Sequence, residues 1–569
     1  MKRRLASGEQ NFSYIRENNL FYVDKTHFID EWWNSAKRVT LITRPRRFGK
    51  TLILDTVRSF FSREFANRSD LFDGLIVWKN KEIRRLQGTI PVISLSFADI
   101  KCDNYEETID LFNDAIVTIY NQFRQYIDFD SLSDTEKEQF ASVRLSMSDA
   151  TSKVALRHLA RYLANQSKKL PIILLDEYDA PMQEAWIHGY WDKLMIFMRG
   201  FFNSTFKTNQ WLGNGLITGI TRIAQESIFS DMNNCNVVTI TSNHYSNCFG
   251  FTEQEVLEAM EEYGLADKDG VKYWYDGVIF GKQKSMYNPW SITKYLEEKI
   301  LAAYWAQTSS NAILSELIAK GTIEIKDQIG TLLQGESITT KLDEQVVFSQ
   351  LYMNRSAIWS LLLAAGYVKP LSFDPSTEDY EITLTNHEVN FIINKLVSTW
   401  FNNDSVNTNS FCLSLFSNNV KEMNKYFNEI AMKTFSFFDV KGKEPESFYH
   451  GFVLGLTVDC KDRFDIYSNR ESGYGRFDII MIPNKPRDHG IVIEFKTLDV
   501  DEEKSLEDTC ANALLQIHEK KYICELYARN ISSDNIYVYG FAFKGKDVLI
   551  CGGKEIDINW DNPIPKKKS

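Results

Sequence analysis

The chain has 569 residues, of which 65 are Lys or Arg and 76 are Asp or Glu, so its formal net charge is -11. Its length exceeds what one hydrophobic core serves and predicts about three or four domains of ordinary size. With 44% hydrophobic residues and abundant Phe and Tyr, the composition excludes a disordered chain. The acidic balance argues against a protein whose whole surface coats nucleic acid, although it permits a local basic groove.

The eight cysteines are scattered and form no Cys-x-x-Cys pair. The sequence therefore indicates neither a zinc knuckle nor a disulfide framework, and a reducing cytosol fits best. No apolar run approaches the roughly 18 residues of a membrane-spanning helix, and the N-terminus lacks the apolar segment of a signal peptide. We expect a cytoplasmic protein that makes no membrane contact.

In the first half of the chain, short strands rich in β-branched and apolar residues alternate with helical patterns. This alternation predicts a parallel sheet between helical layers, a three-layer α/β domain covering residues 1–250. The predicted strands are residues 38–43, 89–97, 170–179 and 215–220, and a helix is predicted at 51–61.

The stretch RPRRFGKT, residues 44–51, joins the first strand to this helix. Gly49, Lys50 and Thr51 are typical of a phosphate-binding loop, in which backbone N–H groups and a helix N-terminus meet phosphate, lysine adds charge and threonine binds Mg²⁺. Arg44 stands where the usual pattern has glycine, so this turn must be shaped differently. The alternative is a basic turn before an ordinary helix. The ATP contacts predicted in this loop are Arg46, Arg47, Phe48, Gly49, Lys50 and Thr51.

Asp176 and Glu177 follow a buried apolar strand, about 125 residues after the loop. An aspartate in this place holds Mg²⁺ together with Thr51, and the next carboxylate polarises the attacking water. We therefore predict that Asp176 binds ATP and Mg²⁺ and that Glu177 is catalytic. The alternative is a solvated loop after a core strand.

Beyond residue 250 the pattern changes twice. Residues 251–310 are predicted to form a helical lid region, which Thr252 and Glu255 open in capping-box spacing. Residues 311–425 are predicted to form a mixed linker or winged-helix-like region with one strand pair. Residues 426–555 are predicted to form a further α/β domain, before a solvated basic tail at 556–569. The elements predicted in this last domain are a helix at 447–458, strands at 476–483 and 490–498, a long amphipathic helix at 505–530 and a strand pair within 535–553.

Three polar residues mark the hairpin predicted in the last domain. Asp478 is predicted to lie on its first strand, and Glu494 and Lys496 on its second. Because strand side chains alternate, Glu494 and Lys496 share one face and Phe495 takes the other. Two carboxylates there hold Mg²⁺ beside a scissile phosphate, and the ammonium orients water or stabilises charge. The alternative is a solvated strand face with a surface ion pair.

The fragments LITRPRRFGKTLILD, LLDEYDAP, GITRIAQESIFSDMNN and FGFTEQEV resemble the AAA-ATPase-like family found mostly in bacteria, over about residues 10–310. The resemblance implies a P-loop NTPase fold that binds ATP, and arginine at the first loop glycine is usual in that family. It also implies a γ-phosphate sensor at Thr218 or Thr221. Arg222 is implied as a cationic ATP contact, with a structural ion pair as the alternative.

The hairpin set and the fragment SNRESGYGRFDI resemble the PD-(D/E)XK nuclease superfamily over about residues 430–552, although Phe477 replaces the usual proline. The resemblance implies a restriction-endonuclease-like α/β fold. It also implies a catalytic glutamine, for which Gln516 is the candidate, on a helix that places Lys520 one turn away.

Further polar residues surround this predicted site. Glu446 is a possible acidic ligand, with an exposed helix position as the favoured alternative. His450 is expected in the core, and Arg470, Tyr474 and Arg476 either contact a phosphate backbone or are solvated.

Two functional hypotheses emerge. In the first, the protein binds and hydrolyses ATP, and its nucleotide state gates a Mg²⁺-dependent nuclease that acts on nucleic acid, with DNA favoured. In the second, the protein is a nucleotide-dependent switch or scaffold, whose nuclease-like fold is non-catalytic and binds nucleic acid or a protein. A third possibility is that the ATPase part is a slow timer with little turnover.

Overall fold

The computed structural model describes residues 2–222, 234–305, 323–333, 335–343, 355–401, 405–435, 453, 463–468, 471–472, 475–484, 488–499, 502–545 and 547–564. The chain divides into two compact units. The first comprises residues 1–317 and 339–389, and the second comprises residues 318–338 and 390–569. Among the described residues, no helix is both long enough and apolar enough to cross a membrane.

The first unit begins with alternating strands and helices, as predicted. Its first strands are β1 (Val39–Thr43), β2 (Val92–Ser96), β3 (Ile172–Asp176), β4 (Gly215–Gly219) and β5 (Cys235–Val238). The helices among them are α1 (Phe12–Glu17), α2 (His27–Asn34), α3 (Lys50–Phe61), α4 (Lys81–Arg84), α5 (Tyr105–Phe123), α6 (Asp134–Ala141), α7 (Asp149–Ser167), α8 (Ala180–Ile187) and α9 (Trp191–Phe202).

These five strands form one sheet in the order β2-β3-β4-β1-β5, and every neighbouring pair is parallel. β1, β3 and β4 are buried along their whole length, which explains their continuous apolar sequences. Because the strands are parallel, the loops that follow β1, β3 and β4 leave from the same edge. The predicted P-loop type of α/β fold is confirmed, and this edge carries the first candidate site.

The part of the chain after residue 250 contains a sheet that the sequence pattern did not predict. Its strands are β6 (Phe251–Thr252), β7 (Val278–Phe280) and β8 (Gln283–Tyr287), antiparallel in the order β6-β8-β7. The accompanying helices are α10 (Glu253–Tyr263), α11 (Lys268–Tyr275) and α12 (Pro289–Glu298). The predicted capping box of Thr252 and Glu255 is present. This region is therefore mixed rather than helical, because strands of two to five residues are too short to show a clear period.

The next part of the chain contains the predicted strand pair. Its elements are α13 (Ile323–Leu333), β9 (Ile338–Lys341), α14 (Arg355–Ala364), β10 (Val368–Asp374), β11 (Asp379–Leu384) and α15 (His387–Phe401). β10 and β11 are antiparallel, and β9 lies beside β11. Since residues 339–389 fall in the first unit, the domain boundaries drawn from the sequence at 310 and 425 stay predictions.

The last third of the chain forms a mixed sheet in the order β12-β15-β16-β17-β18. β16 and β17 are parallel and the other neighbours are antiparallel, in agreement with the α/β fold predicted here. The strands are β12 (Phe464–Ser468), β13 (Glu471–Ser472), β14 (Gly475–Arg476), β15 (Ile479–Pro483), β16 (Gly490–Thr497), β17 (Ile536–Lys544) and β18 (Asp547–Lys554). The helices are α16 (Ser405–Phe416), α17 (Val420–Phe435), α18 (Leu506–Glu519) and α19 (Cys524–Tyr527).

The prediction of one long helix at 505–530 is wrong, because this range forms two helices. α18 ends at Glu519, Lys520 is its C-cap, and Lys521 has a φ of 56°. A residue in this left-handed conformation turns the chain, so α19 starts separately at Cys524. The Lys520 N–H still donates to the carbonyl oxygen of Gln516 at 3.0 Å, so Lys520 lies one turn from Gln516, as predicted, and ends this helical face.

The edge strand β18 is covered by α17 through two asparagines one helical turn apart. The side chain of Asn424 donates to the carbonyl oxygen of Ile550 at 2.7 Å and accepts from its N–H at 2.8 Å. Asn428 does the same at Val548, at 2.8 and 3.1 Å. These bonds satisfy backbone groups that an edge strand would otherwise offer to another chain.

A glycine sets how closely α18 approaches the sheet. Gly540 on β17 pairs with Glu494 on β16. A Cβ at this position would lie 2.7 Å from the backbone oxygen of Cys510 and 3.0 Å from the Cβ of Ala513. The missing side chain thus lets α18 lie close over the strand that carries Glu494.

We expect Gly540→Ala to destabilise the second unit by about 1–3 kcal/mol, because the added methyl overpacks the contact between α18 and the sheet. Calorimetry of the full chain should show a transition lowered by several degrees. Gly553→Ala is the matched control, since a Cβ there meets no atom within 4 Å. Equal midpoints for the two variants would contradict this account.

Candidate functional sites

The loop between β1 and α3 has the backbone of an anion site. α3 begins at Lys50 directly after Gly49, whose φ of 83° is left-handed, and no side chain caps this helix end. Arg47 is also left-handed, with a φ of 67°. Because the first turn of a helix leaves N–H groups without intrahelical partners, this end presents donors to an anion.

Arg44 serves the fold rather than the phosphate. Its φ is not positive, so a side chain costs little where the usual loop has glycine. The fully buried guanidinium donates to the carbonyl oxygens of Thr43 at 2.9 Å and Thr239 at 2.7 Å. It also lies 4.5 Å from the ring centre of Phe280. Arg44 therefore joins the end of β1 to the segment after β5 and to β7.

The ammonium of Lys50 lies inside the loop. Its Nζ donates to the carbonyl oxygens of Arg44 at 3.0 Å and Pro45 at 2.9 Å. Burial lowers the pKa of Lys50, and the attraction of Asp176 and Glu177 opposes this shift. The lysine is thus held among oxygen atoms, which a buried ammonium needs as hydrogen-bond partners.

Asp176, at the end of β3, contacts the residues predicted to act with it. Its Oδ2 accepts a hydrogen bond from Thr51 Oγ1 at 2.6 Å, and its Oδ1 accepts from Thr218 Oγ1 at 2.5 Å and from the Glu177 N–H at 3.0 Å. Two adjacent oxygen donors, from Thr51 and Asp176, fit the preferences of Mg²⁺. Burial raises the pKa of Glu177, which makes its carboxylate a stronger proton acceptor.

Asp179 was not among the predicted site residues. Its buried carboxylate accepts from the N–H groups of Ile220 at 3.1 Å and Thr221 at 2.9 Å, and from Thr221 Oγ1 at 2.8 Å. It therefore connects the start of α8 to the segment that follows β4. The second aspartate of the DEYD sequence was the available signal.

A cavity of about 470 Å³ opens beside the loop, and residues 46–53 and Glu177 line it together with the N-terminal segment 6–10 and Trp290. This volume is typical of a cofactor site. Arg47 lies 4.6 Å from the ring centre of Trp290. Sequence reasoning missed the N-terminal segment and Trp290, because neither carries a local motif. Arg222 does not line the cavity, and its role stays a prediction.

In the second unit, the predicted hairpin brings Asp478 and Glu494 together. Asp478 lies at a bend directly before β15, not on the strand as predicted, and its Oδ2 accepts from the Phe495 N–H at 2.8 Å. Ile479 pairs with Ile493, which sets Asp478 beside Glu494. At this bend the side chain, rather than the backbone, bonds the neighbouring strand. Lys496 is half-buried, and Phe495 is fully buried, as their alternation predicts.

The helix after the hairpin completes this cluster. Gln516 Nε2 donates to Glu494 Oε1 and, at 3.2 Å, to the hydroxyl of Tyr522. Tyr522 was missed by sequence reasoning, because the predicted helix continued through it. The left-handed turn at Lys521 brings its buried ring toward the acids, where it meets Phe477 edge to face at 6.2 Å.

Several predicted residues of this region lie outside the described part of the chain. They are Glu446, His450, Arg470 and Tyr474, together with the helix predicted at 447–458, of which Val453 alone is described. The backbone of Arg476 lies in β14.

Residues 6–229 match the family described as predicted AAA-ATPase, and residues 444–552 match the PD-(D/E)XK nuclease superfamily. The chain joins an AAA-ATPase-like region to a nuclease-like region. The AAA-ATPase-like region holds the phosphate loop, and the nuclease-like region holds Asp478, Glu494, Lys496 and Gln516. The chain is also similar to an "Uncharacterized protein in vnfD 5'region" of Azotobacter chroococcum mcd 1, at 22% identity over 97% of this chain and 98% of that protein.

Arg44→Lys should destabilise the AAA-ATPase-like region by about 1–3 kcal/mol. One ammonium cannot bond both carbonyl oxygens and stack on Phe280, so a buried acceptor loses its partner. Thermal unfolding and titration with a fluorescent ATP analogue should show a lower midpoint and weaker binding. Exposed Arg63→Lys is the control and should change neither. An unchanged midpoint for Arg44→Lys would show that the bonds from the guanidinium to Thr43 and Thr239 are not needed for stability.

The nuclease-like site predicts an unusual dependence of stability on pH. Burial raises the pKa of Asp478 to about 6, although the bond from the Phe495 N–H and the charge of Lys496 oppose this shift. The folded chain therefore binds this proton more tightly than the unfolded chain does. The resulting contribution to stability is present at acid pH and is lost as the pH rises through about 6.

In metal-free buffer, Asp478→Asn should accordingly raise the urea midpoint of unfolding at pH values above 7. The gain should shrink as the pH falls through about 6 and vanish only below about pH 4, where the carboxyl is protonated in the unfolded chain as well. Urea unfolding of the full chain at a series of pH values measures this difference. Asp465→Asn, at an exposed position of β12, is the control. A gain that is independent of pH would contradict the assignment.

Proposed function

We propose that this protein is a Mg²⁺-dependent nuclease whose cleavage of nucleic acid, DNA in the first place, responds to ATP bound at the phosphate loop. The observation that carries the proposal is the meeting of Asp478, Glu494, Lys496 and Gln516 at one end of the β15–β16 hairpin. Buried acids are costly, and a cluster of them beside a cation is typical of a functional site. The matches of both regions to their families support the same proposal.

In the nuclease-like region, Asp478 and Glu494 would hold Mg²⁺, because carboxylate oxygens are the ligands this ion prefers. The ion, when bound, polarises the scissile phosphate and activates a water. Lys496 projects from the same strand face as Glu494 and stabilises charge that develops on the phosphate. Gln516 holds the Glu494 carboxylate in place, and Tyr522 in turn fixes the Gln516 amide.

In the AAA-ATPase-like region, Lys50 and the N–H groups of α3 bind the phosphates of ATP, with Thr51 and Asp176 as ligands for Mg²⁺. Glu177 accepts a proton from the attacking water. Asp176 is bonded to both Thr51 and Thr218, so a change at the loop reaches β4 through one carboxylate. Nucleotide binding can therefore shift β4 through Asp176. We expect the protein to act in the cytosol.

The alternative, a nucleotide-dependent switch or scaffold with a non-catalytic nuclease-like fold, shares the ATP site and differs only at the hairpin. Replacing Glu494 therefore separates the two functions, whereas replacing Lys50 tests the nucleotide response.

We expect the full chain to cleave DNA in Mg²⁺ and to lose this activity in EDTA. Glu494→Gln should lower the cleavage rate at least about a hundredfold, since one metal ligand becomes a weak amide donor. Lys50→Ala should keep a basal rate and lose its dependence on ATP. Rates are measured on linear and circular DNA, single-stranded DNA and RNA, with ATP, a non-hydrolysable analogue or no nucleotide.

Glu519→Gln and Lys137→Ala, both exposed, are the matched controls and should behave as the unaltered chain. Absence of cleavage on every substrate and under every nucleotide condition would reject the nuclease and favour the scaffold. Cleavage that Lys50→Ala leaves equally responsive to ATP would reject the gating.

A further inference from the structure

A further cluster of metal-ligand side chains lies in the first unit, and none of its residues belongs to the predicted sites. It consists of His27 and Glu31 on α2 and the buried thiol of Cys248. His27 Nε2 lies 3.3 Å from Cys248 Sγ, and Glu31 Oε2 lies 3.9 Å from the same sulfur. All three ligand atoms lie within 4.8 Å of one another.

These separations match those of ligands around one tetrahedral ion. Zinc binds sulfur at about 2.3 Å and nitrogen or oxygen at about 2.0–2.2 Å, so two ligands of one zinc ion lie roughly 3.3–3.8 Å apart. The distance from His27 to the sulfur, 3.3 Å, lies at the lower end of this range, and the distance from Glu31, 3.9 Å, lies just above its upper end. A donor set of one thiolate, one imidazole and one carboxylate suits Zn²⁺ and does not suit Mg²⁺, which prefers oxygen alone.

The backbone around the cluster is held by packing that does not involve the ligands. His27 and Glu31 are four residues apart on α2, so they project from one helix face. Between them, Phe28 packs on Tyr245 and Phe249 at ring distances of 5.1 and 5.6 Å. The aromatic contacts thus bring the helix and the segment of Cys248 to a fixed spacing before any ion binds.

The cluster adjoins the nucleotide cavity. Cys248 lines that cavity, and two residues later the Gly250 N–H donates to the carbonyl oxygen of Phe48 in the phosphate loop at 3.1 Å. An ion bound to Cys248 would therefore stiffen the segment that supports the loop.

We propose that His27, Glu31 and Cys248 form a Zn²⁺ site that joins α2 to the support of the phosphate loop. Three protein ligands leave a fourth position for water, which reaches the site because Glu31 is exposed. The site binds one ion per chain, and its occupancy strengthens nucleotide binding without the ion touching the nucleotide.

Cobalt titration of the full chain tests the site. The chain is stripped with a chelator, returned to chelator-free buffer with excess Mg²⁺ to fill the oxygen-donor sites, and titrated with Co²⁺. We expect one equivalent to produce the thiolate-to-cobalt charge-transfer absorption with the intense visible bands of tetrahedral coordination, and Zn²⁺ to abolish both. Cys248→Ser should remove the charge-transfer absorption, and Glu31→Gln should weaken Co²⁺ and Zn²⁺ binding at least about tenfold.

Cys524→Ser, at an exposed cysteine, is the control and should retain the full spectrum. Glu31→Gln changes an exposed side chain, so it tests the site even where Cys248→Ser fails to fold. Zn²⁺ should also raise the thermal midpoint of the unaltered chain and lower the Kd of the fluorescent ATP analogue, and it should do neither in Glu31→Gln at the same concentration. A chain that shows no thiolate absorption, or whose absorption persists in Cys248→Ser, overturns the proposal.

Discussion

Both candidate sites depend on carboxylates that lie at or close to the ends of strands and accept hydrogen bonds from backbone N–H groups. Asp176 and Asp179 accept such bonds at the edge of the parallel sheet, and Asp478 accepts one from the neighbouring strand. A buried carboxylate needs hydrogen-bond donors of this kind, because burial of a charge without partners is costly. The same bonds fix the direction of each carboxylate, so the backbone itself positions the groups to which we assign metal and phosphate binding.

In each region, the size of one side chain next to the site determines how closely the neighbouring elements pack. Around the phosphate loop, a large side chain fills the space: Arg44 occupies the position of a usual glycine and joins three parts of the chain through its guanidinium. In the nuclease-like region, space is kept empty: Gly540 lets α18 lie on the sheet, so that Gln516 reaches Glu494. In both regions, the residue that shapes the site is a neighbour of the proposed ligand and catalytic residues and is not one of them.

The sequence was most informative where chemistry is local. Lys50 and Thr51 open the helix after β1, Asp176 ends β3 with Glu177 next to it, and Glu494 and Lys496 are two residues apart on β16. The local pattern of strand, loop and helix therefore places them. It was misleading where a single dihedral angle decides the path. The left-handed conformation of Lys521 interrupts the predicted helix and turns Tyr522 toward Gln516. Lysine favours helices, so the sequence does not indicate this turn. The bend at Asp478 is similar, because there the side chain bonds Phe495 across the hairpin.

From its own pattern, the sequence determined the two α/β regions, the phosphate loop and the acidic hairpin, since strand alternation and helix spacing are properties of neighbouring residues. Only the tertiary structure decided that Arg44 is a buried support, that the N-terminal segment and Trp290 line the cavity beside the loop, and that His27 and Glu31 meet Cys248. Cys248 lies more than 200 positions after His27 and Glu31 in the sequence. The absence of a Cys-x-x-Cys pair had argued against a zinc knuckle. Contacts at such separations are set by how whole elements pack, and no local pattern records them.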